Sequence, residues 1–213
     1  MLNIQPKDTL LFIGDSITDC GRRDFFQANL GQGYVNMIAG DLYRKFFHYH
    51  LNIINRGVSG NTIADLVERW QSDCLDYQPD IITIQIGIND IWHRYSAETH
   101  LTPDGLAQFI AHYRYLIQSV KAQNAATHII IVEPFLLPEP EFNQAMLTDL
   151  LAMNQAISQL AEDEAVLLVK THTIMNRLAK GLGCTTVAGQ DGVHPTSFGH
   201  AHLAERWFVT TRV

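Results

Sequence analysis

Residues 9–19 read TLLFIGDSITD, an apolar run followed by a short polar segment. The part from 9 to 13 is apolar at nearly every position, which is typical of a strand buried on both faces of a sheet. Four further short apolar runs follow along the chain, at 51–55, 80–86, 127–132 and 166–169. The sequence therefore predicts five strands, and the polar segment after the first of them is the starting point for function.

Helical patterns separate these runs. Apolar side chains recur at the spacing of one helix face over residues 63–74, and Thr62 with Asp65 three residues later predicts a capping box at its start. Thr102 followed by Pro103 predicts the start of another helix. Further helices are predicted near 34–47, 143–164 and 196–209. Such alternation predicts an α/β fold with a parallel sheet and helices on both faces. With the strand order 2-1-3-4-5, which is common among doubly wound sheets, strands two and three would flank strand one.

The composition indicates one domain that spans residues 1–213. Hydrophobic residues make up 46% and charged residues 17%, so the chain has enough apolar surface to form a core. Fifteen Lys and Arg against 22 Asp and Glu give a net charge of −7, and no basic patch stands out. This charge argues against nucleic acid or an anionic membrane as a partner.

No stretch of the sequence has the pattern of a signal peptide or a membrane span, so we expect a cytoplasmic protein. Cys20, Cys74 and Cys184 are widely spaced and lack a Cys-x-x-Cys pair, which fits a reducing compartment better than disulfide bonds or a zinc site. The glycines of 31–33 begin like a dinucleotide fingerprint but lack its last glycine. We expect no cofactor and no metal ion.

Polar or glycine-containing segments follow the first three predicted strands, and a fourth precedes the last predicted helix. They are GDSITD at 14–19, NRGVSGNT at 55–62, GINDIW at 87–92 and DGVHP at 191–195. In parallel α/β sheets, ligands bind beyond the carboxyl ends of the strands, near the point where the strand order reverses. We therefore expect the chemistry in these four segments.

Together the segments contain the groups that acyl transfer from an ester requires. Ser16 supplies a nucleophile, His194 a base for its proton, and Asp191 an acceptor that orients the base. The backbone N–H groups of Ser16 and Gly60 and the amide of Asn89 supply donors for the developing oxyanion. Because strands two and three flank strand one, we expect these donors to converge.

Each segment taken alone also has a purely structural interpretation. A Gly-Asp-Ser turn serves as a helix cap, Gly60 fits a tight turn with positive φ, and 191–195 fits a loop that ends in an N-cap. Ser59 is a second, less favoured nucleophile, because it does not follow the first strand. His200 and His202 invite a metal hypothesis, but residues two apart on a helix point in different directions. The joint occurrence of the four segments favours catalysis.

The strings FIGDSITD, RGVSGNT, IGIND and DGVHP resemble the four motif blocks of the SGNH (GDSL) hydrolase family, and the resemblance covers nearly the whole chain. It implies a flavodoxin-like three-layer α/β/α sandwich with a five-stranded parallel sheet. It also implies a serine esterase with a triad of Ser16, Asp191 and His194. The oxyanion hole that it implies consists of Ser16, Gly60 and Asn89.

Longer strings, among them GDSITDCGR, RGVSGNTIADL and IGINDIW, are similar to those of bacterial carbohydrate esterases of this family, especially intracellular acetylxylan esterases. This similarity implies hydrolysis of short-chain, above all acetyl, esters of carbohydrates through an acyl-enzyme intermediate. The alternative is a lipase, lysophospholipase or thioesterase that acts on longer acyl chains. A ligand-binding protein on the same scaffold is the alternative outside enzymes.

The expected partner is a small acyl ester, such as an acetylated sugar or oligosaccharide. The acetylxylan esterases that the chain resembles are oligomeric, which makes a homo-oligomer an open expectation. Candidate substrate contacts are Trp92, Asp15 and Arg56, although Asp15 also fits a purely structural role in the turn around the nucleophile. His93 stands where an Arg often follows the Trp in these relatives.

Overall fold

A computed structural model describes residues 2–23, 30–141 and 143–213. A five-stranded parallel sheet with strand order β2-β1-β3-β4-β5 lies at its centre. The strands are β1 (Thr9–Gly14), β2 (Asn52–Gly57), β3 (Ile81–Gln85), β4 (His128–Val132) and β5 (Leu167–Val169). The number, direction and order of strands predicted from the sequence are confirmed.

Helices cover both faces of the sheet, which makes the predicted three-layer α/β/α fold correct. The helices of the described residues are α1 (Ser16–Asp19), α2 (Tyr34–Lys45), α3 (Ile63–Asp73), α4 (Ile88–Ser96), α5 (Pro103–Gln123), α6 (Asn143–Asp163), α7 (His172–Leu182), α8 (Cys184–Val187) and α9 (Ser197–Thr211). None of these helices is long and apolar enough to cross a bilayer.

Successive residues of β1 contribute to two separate cores. Leu10 and Phe12 pack with α2, α7 and α9, whereas Leu11 and Ile13 pack with α3, α5 and α6. Alternate side chains of a strand point to opposite faces of its sheet, so an apolar run buried on both sides links the two layers of helices. This double burial fixes β1, and with it the position of the polar segment that follows.

The predicted helix starts at Thr62 and Thr102 are confirmed. The Thr62 side chain accepts from the Asp65 N–H, and the Asp65 side chain accepts from the Thr62 N–H, which completes the capping box of α3. The Thr102 hydroxyl accepts from the Gly105 N–H, with Pro103 in the first turn of α5.

The second strand lies later in the sequence than predicted, at Asn52–Gly57 instead of 51–55. The strand extends beyond the apolar run because Asn55 can be buried within it: its side-chain amide is hydrogen-bonded. Its amide donates to the carbonyls of Thr18 (2.7 Å) and Leu30 (2.8 Å). The strand therefore continues into the motif that carries Gly60.

Helix α7 was not predicted, because the group that caps it is distant in sequence. Thr171, which precedes the helix, makes no side-chain cap bond. The N–H of His172 instead donates to Oε1 of Glu133 at 2.8 Å, and Glu133 directly follows β4. A cap from a residue 39 positions away leaves no local sequence signal.

Candidate active site

Ser16 stands at the sharp turn from β1 into α1. Oδ1 of Asp15 accepts from the Ile17 N–H at 2.9 Å and caps the helix, and Cys20 ends it in the left-handed region at φ 37°. The residues on either side of Ser16 are buried, whereas Ser16 itself is partly exposed. The turn therefore presents the Ser16 hydroxyl at the carboxyl edge of the sheet.

The structure brings Ser16, His194 and Asp191 together in one chain of hydrogen bonds. Oγ of Ser16 lies 2.8 Å from Nε2 of His194, and Nδ1 of His194 lies 2.6 Å from Oδ2 of Asp191. The His194 side chain is 47% exposed and that of Asp191 is 35% exposed, so a substrate has direct access to them. This geometry is that of a nucleophile, a base and the group that orients the base.

The electrostatics of Asp191 determine which nitrogen of His194 carries the proton. Burial alone would raise the pKa of Asp191. The hydrogen bonds from the His194 ring and from the N–H groups of Val193 and His194 outweigh burial and lower this pKa. Because the ionised carboxylate only accepts, Nδ1 of His194 donates to it. Nε2 is then free to accept the proton of the Ser16 hydroxyl.

Hydrogen bonds from the segment between β4 and the start of α6 fix the loop that carries Asp191 and His194. Buried Asn143 donates from its amide to the carbonyls of Asp191 (2.7 Å) and Leu137 (3.0 Å), and the Leu137 N–H donates to the Gly192 carbonyl at 2.9 Å. A Cβ on Gly192 would lie 2.2 Å from a carbonyl oxygen, and its φ is +69°, so the position requires glycine.

Three N–H donors follow the carboxyl ends of the adjacent strands β1, β2 and β3. They are the backbone N–H groups of Ser16 and Gly60 and the side-chain amide of Asn89. Gly60 has φ +85°, which favours glycine, and no described atom beyond its chain neighbours lies within 4 Å of the position of its Cβ. Within the described ranges, the Ser16 and Gly60 N–H groups have no acceptor, so both are free to bind an oxyanion.

The third donor is fixed by the loop that precedes α3. The buried Asn89 donates one N–H of its amide to the Asn61 carbonyl at 3.0 Å, which leaves the second N–H for a ligand. The neighbouring Asp90 carboxylate accepts from the Ile63 N–H at 3.1 and 3.2 Å. These bonds connect the first turn of α4, which follows β3, to the loop after β2.

Among the described residues, one pocket contains the nucleophile and its base, and a second lies beside Trp92. Ser16 and His194 open into a pocket of about 470 Å³, whose other lining residues are Ile17, Cys20, Gly21, Gln32, Ser59, Pro195 and His200. The Trp92 ring lies 6.1 Å from that of His194, centroid to centroid. Trp92 also lines a second pocket of about 400 Å³, together with Tyr95, Ser96, Ala145 and Met146. The structure thus places Trp92 between His194 and an apolar pocket.

Comparison with known proteins agrees with this geometry. A model of the GDSL-like Lipase/Acylhydrolase family matches residues 12–202. The chain belongs to this family. As a GDSL-family acylhydrolase it is a carboxylic ester hydrolase, and that prediction from the sequence is confirmed.

Individual relatives are similar to this GDSL-family chain over almost its full length. An acetylxylan esterase of Geobacillus stearothermophilus is 35% identical over 212 residues, which cover 95% of this chain and 93% of the relative. The crystal structure of a Parabacteroides merdae protein described as a GDSL-like lipase has a TM-score of 0.88 at 31% identity and covers 99% and 98% of the two chains. A catalytic mutant of Axe2, an acetylxylan esterase from Geobacillus stearothermophilus, has a TM-score of 0.84 at 32% identity, with 100% and 97% covered.

Two candidate substrate contacts, Asp15 and Arg56, have partners within the structure. The Asp15 side chain has no exposed surface and caps the turn around Ser16, which is the structural role that the sequence also allowed. The Arg56 guanidinium pairs with Asp73 and lies 5.7 Å from the Tyr77 ring centroid. Its side chain is 30% exposed, so a substrate contact of Arg56 stays a prediction.

The alternative nucleophile and the candidate metal ligands have other partners. The Ser59 hydroxyl donates to Oδ2 of Asp19 at 2.9 Å rather than to a base. His200 accepts from the Tyr34 N–H, and its pKa is lowered to about 4 by burial and by the charge of His194. Across the parts of the chain that the structure describes, no three His, Cys, Asp or Glu side chains are grouped closely enough to hold a metal ion.

The pKa of the Asp15 carboxyl, next to the nucleophile, is strongly perturbed. It is raised from 3.8 to about 7, chiefly by burial and to a smaller extent by the charge of Asp90, and the hydrogen bond from Ile17 only partly opposes this rise. Oδ2 of Asp15 has no hydrogen-bond partner among the described atoms. The folded protein therefore holds this proton up to about pH 7, whereas the unfolded chain loses it near 3.8. Asp15 accordingly reduces stability as the pH rises between these values, and its full cost remains above pH 7.

We expect Asp15→Asn to remove this pH dependence. The free energy of unfolding of the variant, relative to the wild type, should rise by about 2 kcal/mol between pH 5 and pH 8. Urea denaturation at both values measures the change. Asp41→Asn, which removes an exposed carboxyl of α2, is the matched control. Parallel stability curves for wild type and Asp15→Asn would show that Asp15 is ionised in the fold.

Proposed function

We propose that the chain, as one domain over residues 1–213, is a serine esterase that removes acetyl groups from carbohydrates through an acyl-enzyme. The observation that carries the proposal is the continuous hydrogen-bonded chain from the Ser16 hydroxyl through His194 to Asp191. The free N–H groups beside this chain of hydrogen bonds are the donors that a negatively charged intermediate needs.

In the first half-reaction, Oγ of Ser16 attacks the acyl carbon while its proton passes to Nε2 of His194. The ester carbonyl oxygen becomes an oxyanion, which accepts hydrogen bonds from the N–H groups of Ser16, Gly60 and Asn89. When this intermediate collapses, His194 gives its proton to the departing alcohol. The acyl group remains as an ester of Ser16.

In the second half-reaction, water replaces the alcohol. His194 takes a proton from the water, whose oxygen attacks the acyl carbon of the Ser16 ester. Collapse returns the proton to Oγ of Ser16 and releases the carboxylic acid. The overall reaction consumes one ester and one water and yields one alcohol and one acid.

Two observations support an acetylated carbohydrate as the substrate. Acetylxylan esterases are among the relatives that match nearly the full chain. Gln32 and Ser59 offer polar side chains in the pocket of Ser16, and Trp92 offers an aromatic surface beside His194, where the leaving alcohol departs. A sugar presents both hydroxyl groups and a C–H face to such surroundings.

A second candidate substrate is an ester with a longer acyl chain. The pocket bounded by Trp92, Tyr95, Ala145 and Met146 is largely apolar, and its Trp92 ring lies 6.1 Å from that of His194, so it would accept an alkyl chain. The same family includes lipases, as its name records.

Acyl-chain selectivity distinguishes these two substrates. We expect kcat/KM for p-nitrophenyl acetate to exceed that for the octanoate by more than about tenfold. The octanoyl chain has six more methylenes to accommodate, and even one misplaced methylene changes transition-state binding by about 1–3 kcal/mol. Acetate release from acetylated xylo-oligosaccharides, other acetylated sugars and medium-chain esters then identifies the alcohol. A preference for octanoate would favour the lipase alternative, and absence of turnover on every ester would contradict the proposed function.

A further inference from the structure

Arg69 in α3 joins the motif segments at 14–19 and 55–62, although the sequence analysis assigned it no role. Its guanidinium donates to the carbonyl of Gly14 at 3.1 Å, just before the Asp-Ser turn, and to the carbonyl of Arg56 at 2.8 Å, at the end of β2. It also donates to Oδ1 of Asn61 at 2.7 Å, and Asp73 neutralises its charge at 2.7 Å. The Arg69 side chain is only 17% exposed, so these bonds are largely shielded from water.

Asn61 connects this guanidinium to the oxyanion donors. Its side-chain oxygen accepts from Arg69, and its backbone carbonyl accepts from the amide of Asn89. One end of Asn61 is therefore held by a rigid cation, while the other end sets the plane of the Asn89 amide. The free N–H of Asn89 then points in a direction that Asn61 determines.

The turn that carries Gly60 depends on its neighbours in the same way. The position of a Cβ on Gly60 has no described contact within 4 Å, so no described side chain packs against this side of the turn. Hydrogen bonds of the two adjacent residues hold it. Ser59 donates to Asp19, the Asn61 N–H donates to the Val58 carbonyl at 3.2 Å, and the Asn61 side chain accepts from Arg69. Any displacement of Asn61 therefore moves two of the three oxyanion donors.

We propose that Arg69 is a positioning residue of the oxyanion hole, which acts through Asn61 on the Gly60 N–H and the Asn89 amide. The inference rests on the proposed esterase function. Arg69 suits this task because its planar guanidinium presents several N–H donors in a fixed arrangement, which a lysine ammonium does not. Arg69 is not among the described residues that line the pocket of Ser16, so we expect its effect on the stabilisation of the transition state rather than on substrate binding.

Asn61→Ala tests the link with the least disturbance. It removes the acceptor of Arg69 but keeps the carbonyl of residue 61 and the Arg69 bonds to Gly14, Arg56 and Asp73. We expect kcat for p-nitrophenyl acetate to fall about 10- to 100-fold with KM changed less than about threefold, as for a sub-ångström misplacement of catalytic groups. Arg69→Lys should shift kcat and KM in the same way.

A double-mutant cycle separates positioning from general stabilisation. If Arg69 acts through Asn61, the Arg69→Lys/Asn61→Ala double variant loses less kcat than the product of the two single losses. Arg114→Lys is the matched control, because Arg114 pairs with Asp163 and Glu164 away from the site and should leave kcat unchanged. Thermal unfolding verifies that each variant is folded.

The outcomes separate this inference from the proposed function. Unchanged kcat in Asn61→Ala, or losses that multiply in the double variant, would overturn the positioning role while wild-type turnover stands. A wild type without esterase turnover would instead overturn the proposed function itself. If Arg69→Lys fails to fold, the cycle is run with Asn61→Ala and Asn89→Ala, for which the same sub-multiplicative loss is expected.

Discussion

Ser16→Ala is expected to lower kcat for acetyl esters by about 10⁴- to 10⁶-fold, since it removes the atom that forms the acyl-enzyme. The Ser16 side chain is partly exposed and bonds only to His194 within the described residues, so its loss should leave the fold intact. Initial rates of p-nitrophenol release and the thermal unfolding midpoint together measure the effect.

Ser59→Ala is the comparison that makes this prediction specific. Ser59 lies in the same pocket and is the alternative nucleophile, but its hydroxyl donates to Asp19. We expect Ser59→Ala to lose less than about tenfold in kcat, because its backbone N–H still donates to Asp19 and its hydroxyl is not a reacting group. Turnover that survives in Ser16→Ala and vanishes in Ser59→Ala would exchange the two assignments.

Asn89→Ala is expected to lower kcat by about 10²- to 10³-fold, the effect of removing one donor from an oxyanion hole. KM should change little, because the free N–H of Asn89 meets charge that develops only in the transition state. Steady-state kinetics on p-nitrophenyl acetate separate the two parameters.

The control for this loss is an asparagine that is distant from the site. Asn52 lies exposed at the amino end of β2, at the opposite edge of the sheet, and Asn52→Ala should keep the wild-type kcat. If Asn89→Ala instead raised KM and left kcat unchanged, Asn89 would contribute to substrate binding in the ground state and not to the oxyanion hole.

The sheet and its order were predictable from the sequence because their signals are local. The run at 9–13 is apolar on both faces, and Thr62 and Thr102 are capping residues whose partners lie three positions away. The residues of the candidate site were predictable for a related reason. Ser16, Gly60 and Asn89 follow β1, β2 and β3, and β1 lies between the other two strands in the sheet.

The residues that hold the motif segments in place by hydrogen bonds were not predictable, because their partners are distant in sequence. Arg69 looks like an ordinary helix residue until Gly14, 55 positions away, is placed beside it. The sequence predicts Asn143 only as the start of a helix, yet its amide donates to the carbonyl of Asp191, 48 positions away. Asp15 illustrates the converse: its motif was recognisable, but its complete burial depends on the packing of several elements.

The hydrogen bond between Ser16 and His194 spans 178 positions, so the first and the last motif segments meet at one site. During synthesis Ser16 is made directly after β1, while Asp191 and His194 follow only after all five strands. In the proposed mechanism, a nascent chain therefore remains inert toward esters until the loop at 191–195 docks. Catalytic turnover is thus a reporter of completed folding, and its recovery after dilution from denaturant would time the last step of assembly.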